Sequence, residues 1–73
     1  MSKPETETAR PRWRHKKRGT VYIEIGTGCF QTAESERLDD QQVTIYQAET
    51  GGVVWVRPTY EFMDGRFERI ING

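Results

Sequence analysis

The chain has 73 residues, of which 34% are hydrophobic and 30% are charged, and its formal net charge at pH 7 is zero. A chain of this length forms at most one domain and buries about 60% of the surface that its unfolded form exposes, so we expect a thin core. The single cysteine excludes an intrachain disulfide and fits a reducing compartment. No apolar run approaches the roughly 18 to 20 residues of a membrane span, and we predict a soluble, cytoplasmic protein.

Charge is segregated along the sequence. Residues 1–18 carry seven Lys and Arg against two Glu, whereas residues 19–73 carry four Arg against nine Asp and Glu. The first segment contains two prolines and almost nothing apolar except Ala9 and Trp13, which is too little to offset the entropy of ordering it. We therefore predict a basic, largely disordered N-terminal arm over residues 1–18, followed by one acidic domain over residues 19–73.

The domain begins with two strand patterns. Residues 20–25 are β-branched and aromatic with the period of two that is typical of a half-buried strand. Gly26 and Gly28 punctuate the pattern, and residues 29–33 then predict a second, shorter strand. Residues 34–41 are polar and acidic without a consistent apolar face, so they are expected to form a connecting loop.

Three further strands complete the domain. Residues 42–48 and 53–57 have strand patterns and are joined by Glu-Thr-Gly-Gly, which is a good hairpin signal. Pro58 cannot donate to a ladder and closes the second of these strands, and residues 59–63 fit one 3₁₀ turn. An Asp-Gly turn leads into residues 66–70. This order predicts an all-β fold, a small five-stranded SH3-like barrel with one 3₁₀ turn before the last strand.

The same segments carry a family resemblance. The sequence reads Lys-Arg-Gly-Thr-Val-Tyr at residues 17–22, Trp-Val-Arg-Pro at residues 55–58 with Phe62 after it, and Gly-Arg-Phe-Glu at residues 65–68. In these motifs, over roughly residues 17–70, it resembles a family of short bacterial and phage proteins classed as a domain of unknown function. The resemblance implies an SH3-like barrel and supplies no activity. The chain lacks the insertion that longer members have before the last strand.

Aromatic side chains are the first candidates for a binding face. Small barrels related to this one use aromatic grooves or cages for extended peptides or methylated lysines. Most aromatic residues of a thin barrel must instead build its core, and we assign Trp55, Phe62 and Phe67 to it. Tyrosines have polar tips that suit a surface, and an arginine beside Trp55 can stack on a ring or pair with a carboxylate. The predicted partner-binding residues are Tyr22, Tyr46, Tyr60 and Arg57.

The basic run at residues 10–18 is the second candidate for recognition. It would neutralise phosphates and release counterions, giving salt-dependent, sequence-independent binding of nucleic acid, and an exposed tryptophan would add a base stack. A solvated arm, or one that neutralises the acidic domain, produces the same pattern, and the acidic domain would repel a phosphate backbone. The residues of this alternative are Arg10, Arg12, Trp13, Arg14, Lys16, Lys17 and Arg18.

No arrangement of residues in the sequence predicts catalysis. His15 has no Cys, Asp or Glu at the spacing of metal ligands, and Cys29 with one distant histidine is expected to be a buried or half-buried thiol. Asp39 and Asp40 lie in a loop without the burial that acid–base work requires. We predict a protein that is not an enzyme and has no cofactor, no metal site and no catalytic residues.

Two functions are left open by the sequence. The first is a small protein-interaction module or inhibitor of bacterial or phage type, whose acidic domain and exposed strand edges contact an unknown protein partner. The alternative is a nucleic-acid-binding accessory protein that uses the basic run at residues 10–18. Either function suits a monomer or a homodimer paired through open strand edges, and neither involves a membrane.

Overall fold

The structure is a computed structural model that describes residues 10–71, which form one five-stranded antiparallel sheet. The strands are β1 (Arg12–His15), β2 (Val21–Phe30), β3 (Gln41–Ala48), β4 (Val54–Pro58) and β5 (Phe67–Ile70). Their order is β4-β3-β2-β1-β5, so β4 and β5 are the two edges. The prediction of an all-β fold with five strands is confirmed, although no ladder within residues 10–71 joins the two edges into a closed barrel.

One helical turn precedes the last strand, as predicted, although it is not of the predicted 3₁₀ type. The turn α1 (Thr59–Glu61) follows Pro58, whose fixed φ of −53° suits a helix start, and runs into a wider, π-type turn over Phe62–Arg66. Gly65 has φ of +107°, a conformation that glycine adopts without steric cost. This turn carries the chain from one edge of the sheet to the other.

Strand β2 is one continuous strand where the sequence predicted two. The expected break at Gly26 and Gly28 was wrong, because neither residue has the positive φ that marks the turn glycines of this chain. A β-bulge between Glu24 and Gly26 absorbs the local irregularity. Methyl groups of Val43 and Ile45 lie 3.9 Å from the position that a Cβ of Gly28 would occupy, so they pack directly over the glycine.

The second half of the predicted arm belongs to the sheet. Strand β1 pairs with β2 on one side and β5 on the other, so the assignment of residues 1–18 to an arm outside the domain was wrong for residues 12–15. In β1, Trp13 and His15 turn toward the core and alternate with Arg12 and Arg14. Because three of these four residues are polar or basic, the alternation does not look like a strand pattern in the sequence. The predicted disorder at the start of the arm falls on residues 1–9, outside the described residues.

The aromatic core cluster lies on one side of the sheet, which we call the core face, and buried Val43 lies on the other. Tyr46, Phe62 and Phe67 are 5%, 0% and 6% exposed, and Trp13 and Tyr22 pack against them. The rings of Phe62 and Phe67 stack with centroids 4.3 Å apart, whereas Tyr22 meets Tyr46 edge-on at 5.2 Å. Such aromatic pairs contribute about 0.5 to 1.5 kcal/mol each beyond the area that they bury.

Trp55 lies outside this cluster, and its assignment to the core was wrong. It pairs with Tyr46 across the β3–β4 ladder but is 49% exposed, because β4 is an edge strand and no other strand of residues 10–71 pairs with its outer side. The opposite side of the sheet, which we call the outer face, carries Val43, Ile45 and Val56. None of the helical segments in residues 10–71 is long and apolar enough to cross a membrane.

Candidate functional site

Two cavities flank β3 and β4 on opposite faces of the sheet, with volumes of about 230 Å³ on the core face and about 250 Å³ on the outer face. Successive side chains of a strand point to opposite faces, which separates the two linings. The first cavity, which we call the cationic pocket, is lined by His15, Arg18, Tyr22, Tyr46, Trp55, Arg57 and Phe67. The second, which we call the apolar groove, is lined by Phe30, Leu38, Gln41, Val43, Val56 and Pro58.

Arg57 is the cation that the fold holds most firmly in the cationic pocket. Its Nε donates a hydrogen bond to the Tyr46 hydroxyl at 3.2 Å, and its Nη1 donates to Glu61 Oε1 at 3.2 Å. The guanidinium carbon lies 5.8 Å from the ring centroid of Phe67. The hydrogen bond to Tyr46 raises the pKa of Arg57, with Glu61 adding to the effect. Arg57 is therefore a charged group in a fixed position on the pocket wall.

His15 contributes the polar floor of the cationic pocket. Its Nδ1 accepts a hydrogen bond from the Arg18 backbone N–H at 3.2 Å, and its ring meets Phe67 edge-on at 5.0 Å. Burial lowers the pKa of His15, and repulsion from nearby cations lowers it further. Those cations are Arg18, Arg57, Arg66 and Lys17. The imidazole is therefore neutral at pH 7, and the potential around it is positive.

The turn between β1 and β2 extends this positive charge into solvent. Lys16, Lys17 and Arg18 are all exposed, and none of them forms an ion pair within residues 10–71. The turn is closed by a hydrogen bond from the Gly19 N–H to the His15 carbonyl oxygen at 2.7 Å. Its three cations are thus presented beside the cationic pocket without a compensating carboxylate.

Two other arginines of the basic run form ion pairs with carboxylates of the sheet. Arg12 Nε donates to Glu49 Oε2 at 2.7 Å, and Arg14 Nε donates to Glu68 Oε2 at 2.8 Å. The hydrogen bond from Arg12 lowers the pKa of Glu49 below its ordinary value. The structure therefore divides the predicted nucleic-acid set, since these arginines pair with the domain's own carboxylates while the turn cations do not.

Trp13, which was predicted to stack on a base if exposed, packs against the core instead. Its Nε1 donates to Glu24 Oε1 at 3.1 Å, and its ring meets Phe62 edge-on at 5.1 Å. Arg10, the first described residue, donates from Nη1 to the Ile25 carbonyl oxygen at 3.1 Å. Neither side chain lines the cationic pocket.

The structure brings together three of the four predicted partner-binding residues. Tyr22, Tyr46 and Arg57 line the cationic pocket, whereas Tyr60 is 59% exposed on α1 and lies outside it. Cys29 is exposed, so the prediction of a buried or half-buried thiol was wrong. The described residues hold no group of three or more His, Cys, Asp or Glu placed to bind a metal.

The apolar groove was not predicted from the sequence. Phe30 at the end of β2 is 43% exposed, and Val56 on β4 is 54% exposed. Leu38 closes the groove from the loop between β2 and β3, and it is the only aliphatic side chain larger than alanine in residues 31–40. That isolated leucine in a polar loop was the available signal. The loop that supplies Leu38 is acidic, since residues 31–40 contain four carboxylates and one arginine.

The free edge of β4 adjoins both cavities. Val53, Val54, Trp55 and Val56 are 61%, 50%, 49% and 54% exposed, and within residues 10–71 no strand pairs with the outer side of β4. The other edge strand, β5, carries Glu68 and Arg69, charges of the kind that protect sheet edges from pairing. The edge of β4 is therefore more prone than the edge of β5 to pair with an added strand.

Comparison of the chain with protein-family models, with curated proteins and with solved structures gives no match. The resemblance of residues 17–70 to the short bacterial and phage family stays a prediction. The two cavities and the free edge of β4 are therefore the features from which a function can be inferred.

Proposed function

We propose that this protein is a non-enzymatic protein-interaction module that binds an extended segment of a partner protein along β4. The observation that carries the proposal is the exposure of four consecutive apolar residues at a free strand edge, from Val53 to Val56. An added strand gains main-chain hydrogen bonds from such an edge, while its alternate side chains reach the two faces of the sheet. Natural edges are usually blunted by charge or proline, which β4 carries only at its end.

The apolar groove gives this edge a means of selecting its partner. Val56 and Pro58 belong both to β4 and to the groove lining, so a strand paired with β4 would place side chains over the groove. Phe30 and Leu38 form the far wall. Burial of apolar surface contributes about 25 cal/mol per Å², and a partner with apolar residues at every second position would gain most from it.

Charge narrows the class of partner further. The loop at residues 31–40, which supplies Leu38 to the groove, is acidic, with Glu34, Glu36, Asp39 and Asp40 against Arg37. Complementary charge raises association rates and fixes the register of an interface. The partner segment therefore combines alternating apolar residues with Lys or Arg near the end that meets this loop. A module of this kind would act as an inhibitor where the covered basic segment of the partner normally contacts phosphate.

A selection from a displayed library of random ten-residue peptides tests the proposal. Peptides retained by the wild-type chain are counter-selected on Val56→Lys, which places a charge on the free edge without disturbing a buried residue. Thr50→Lys, in the exposed turn before β4, is the matched control with the same added charge. The enriched peptides should be apolar and basic, bind wild type and Thr50→Lys alike, and bind Val56→Lys at least about tenfold more weakly.

Three outcomes would overturn the proposal. Enrichment of nothing, or of peptides that bind Val56→Lys as well as wild type, would show that the edge is not a binding site. Concentration-dependent dimerisation in sedimentation, abolished by Val56→Lys, would show that a second copy of this chain covers the edge instead. Circular dichroism of each variant confirms that the sheet is intact in every comparison.

A further inference from the structure

We propose that the cationic pocket binds a nucleotide, with the base stacked on Trp55 and the phosphate held by Arg18 and Arg57. The site lies on the face opposite the apolar groove, so the proposal neither requires nor follows from partner binding at the edge of β4. The charge of the pocket, its exposed ring and its size all favour a nucleotide.

Charge in the pocket favours an anion. No carboxylate lines it among the described residues, whereas two arginines and one histidine do. Arg57 pairs with Glu61 through Nη1, and its Nε donates to the Tyr46 hydroxyl, which holds the guanidinium at the pocket wall. Arg18 forms no ion pair within residues 10–71. A phosphate between these two arginines would gain charge-assisted hydrogen bonds, which are stronger than neutral ones.

The exposed ring in the pocket favours a planar ligand. Trp55 is 49% exposed and, unlike the five aromatic residues of the core, makes no ring–ring contact within residues 10–71. Stacking of a base on such a ring is tolerant of base identity and contributes substantially to single-strand binding. An acidic peptide would use the arginines equally well but would leave the tryptophan face uncovered, and this difference favours the nucleotide.

The size of the pocket limits the ligand to one nucleotide unit. Its volume of about 230 Å³ is below the roughly 300 to 1,000 Å³ of sites that enclose a whole drug-sized molecule. One base and its phosphate therefore sit partly in solvent. Lys16 and Lys17, which precede Arg18 and are exposed, add positive charge that the next phosphate of a strand could use. The bound unit is either a free nucleotide or one residue of a single strand.

Calorimetric titration with adenosine 5′-monophosphate, adenosine and inorganic phosphate tests whether the pocket binds a base together with its phosphate, which both ligands share. The monophosphate should bind about five- to 150-fold more tightly than phosphate alone, the range that one base stack provides. Trp55→Leu and Arg18→Gln should each weaken it by at least about fivefold. Arg37→Gln is the matched control, because Arg37 is also exposed and without an ion pair in residues 10–71 but lies at the other end of β2.

Titration with an oligoadenylate of about eight nucleotides then distinguishes a free nucleotide from one residue of a single strand. Binding at least about tenfold tighter than the monophosphate, and steeply weakened by salt, would identify a single strand, and equal affinity per nucleotide would identify a free nucleotide. The proposal is overturned if neither probe shifts the Trp55 indole N–H resonance in NMR spectra. It is also overturned if Arg18→Gln binds both probes as wild type does. Val56→Lys should leave the affinity unchanged, so failure here and failure of the partner proposal are distinguishable.

Discussion

The cationic pocket and the apolar groove are nearly equal in volume, about 230 and 250 Å³, yet opposite in chemistry. Arginines, a histidine and aromatic rings line the pocket, whereas the groove lining carries no charged side chain. Alternation along β4 produces the difference, because the adjacent residues Val56 and Arg57 point to opposite faces. A single sheet can thus present two unrelated binding surfaces when its helical turn covers only part of one face.

The two cavities also differ in what supports them. The pocket rests on Tyr46 and Phe67, which are members of the buried core, whereas one wall of the groove is Leu38, from the loop between β2 and β3. Changes in the core should therefore alter the pocket together with the stability of the fold. Changes in the loop should alter the groove alone, whereas changes on β4 alter the groove at Val56 and the pocket at Trp55 and Arg57.

The largest expected effect comes from removing the core that supports the pocket. Phe62 is 0% exposed and contacts Trp13, Tyr46 and Phe67, so Phe62→Ala should lower the free energy of unfolding by about 3 to 5 kcal/mol. That is comparable to the whole stability of a domain this small. Equilibrium urea denaturation measures the loss. Val56→Ala, at a half-exposed site in the groove, should cost less than about 1 kcal/mol; similar losses for the two variants would contradict the proposed difference in support.

A smaller effect is expected from the hydrogen bond that positions Arg57. A double-mutant cycle of Arg57→Met and Tyr46→Phe should give a coupling of about 1 kcal/mol in the free energy of unfolding, typical of one part-buried hydrogen bond. The same pair should change nucleotide affinity while leaving peptide binding at β4 intact. Additivity of the two substitutions within about 0.3 kcal/mol would show that Arg57 is not held by Tyr46.

The pH dependence of stability is expected to report on His15. Its pKa in the folded chain is below the unfolded value of 6.5, so the unfolded chain binds more protons as the pH falls through that value. Stability should therefore be unaffected by His15 above pH 6.5 and should decline below it. His15→Asn should remove this decline, as followed by thermal melts across the range. A bound phosphate would counter the repulsion from the nearby cations and raise the pKa of His15 back toward 6.5, so the decline should be smaller than in the free protein.

The smallest effect separates the paired arginines from the turn cations. Arg14 and Glu68 form an exposed ion pair, so Arg14→Gln should lower the free energy of unfolding by no more than about 1 kcal/mol, and less in high salt. Arg18→Gln should leave stability unchanged within about 0.5 kcal/mol but weaken nucleotide binding. The reverse pattern in denaturation and titration would mean that the two classes of cation were assigned wrongly.

Elements defined by local turn chemistry could be predicted from the sequence. The Gly-Gly loop identified the β3–β4 hairpin, and Asp64-Gly65 identified the turn before β5, because each signal lies within a few residues of the structure that it sets. Strand β1 could not be recognised in the same way. Arg12 and Arg14 look like part of a solvated arm until their partners are known, and Glu49 and Glu68 are distant in the sequence.

The sequence predicted the residues of the candidate site only where the residue type itself determines whether a side chain can serve for binding. Tyr22, Tyr46 and Arg57 were selected for their polar tips and charge, and the fold places them together in one pocket. Trp55 was assigned to the core because tryptophan is usually buried, but its exposure depends on β4 being at the edge of the sheet. Strand order is set by long-range pairing, which the spacing of residues in one sequence does not reveal.

The most direct test of the account is a crossed titration of two variants against two probes. Val56→Lys and Arg18→Gln are each titrated with a selected β4-binding peptide and with adenosine 5′-monophosphate, with wild type beside them. The account predicts that Val56→Lys weakens only peptide binding, by at least about tenfold, and that Arg18→Gln weakens only nucleotide binding, by at least about fivefold. Loss of both ligands in either folded variant, or of neither in both, would contradict the claim that the two faces of the sheet are independent binding surfaces.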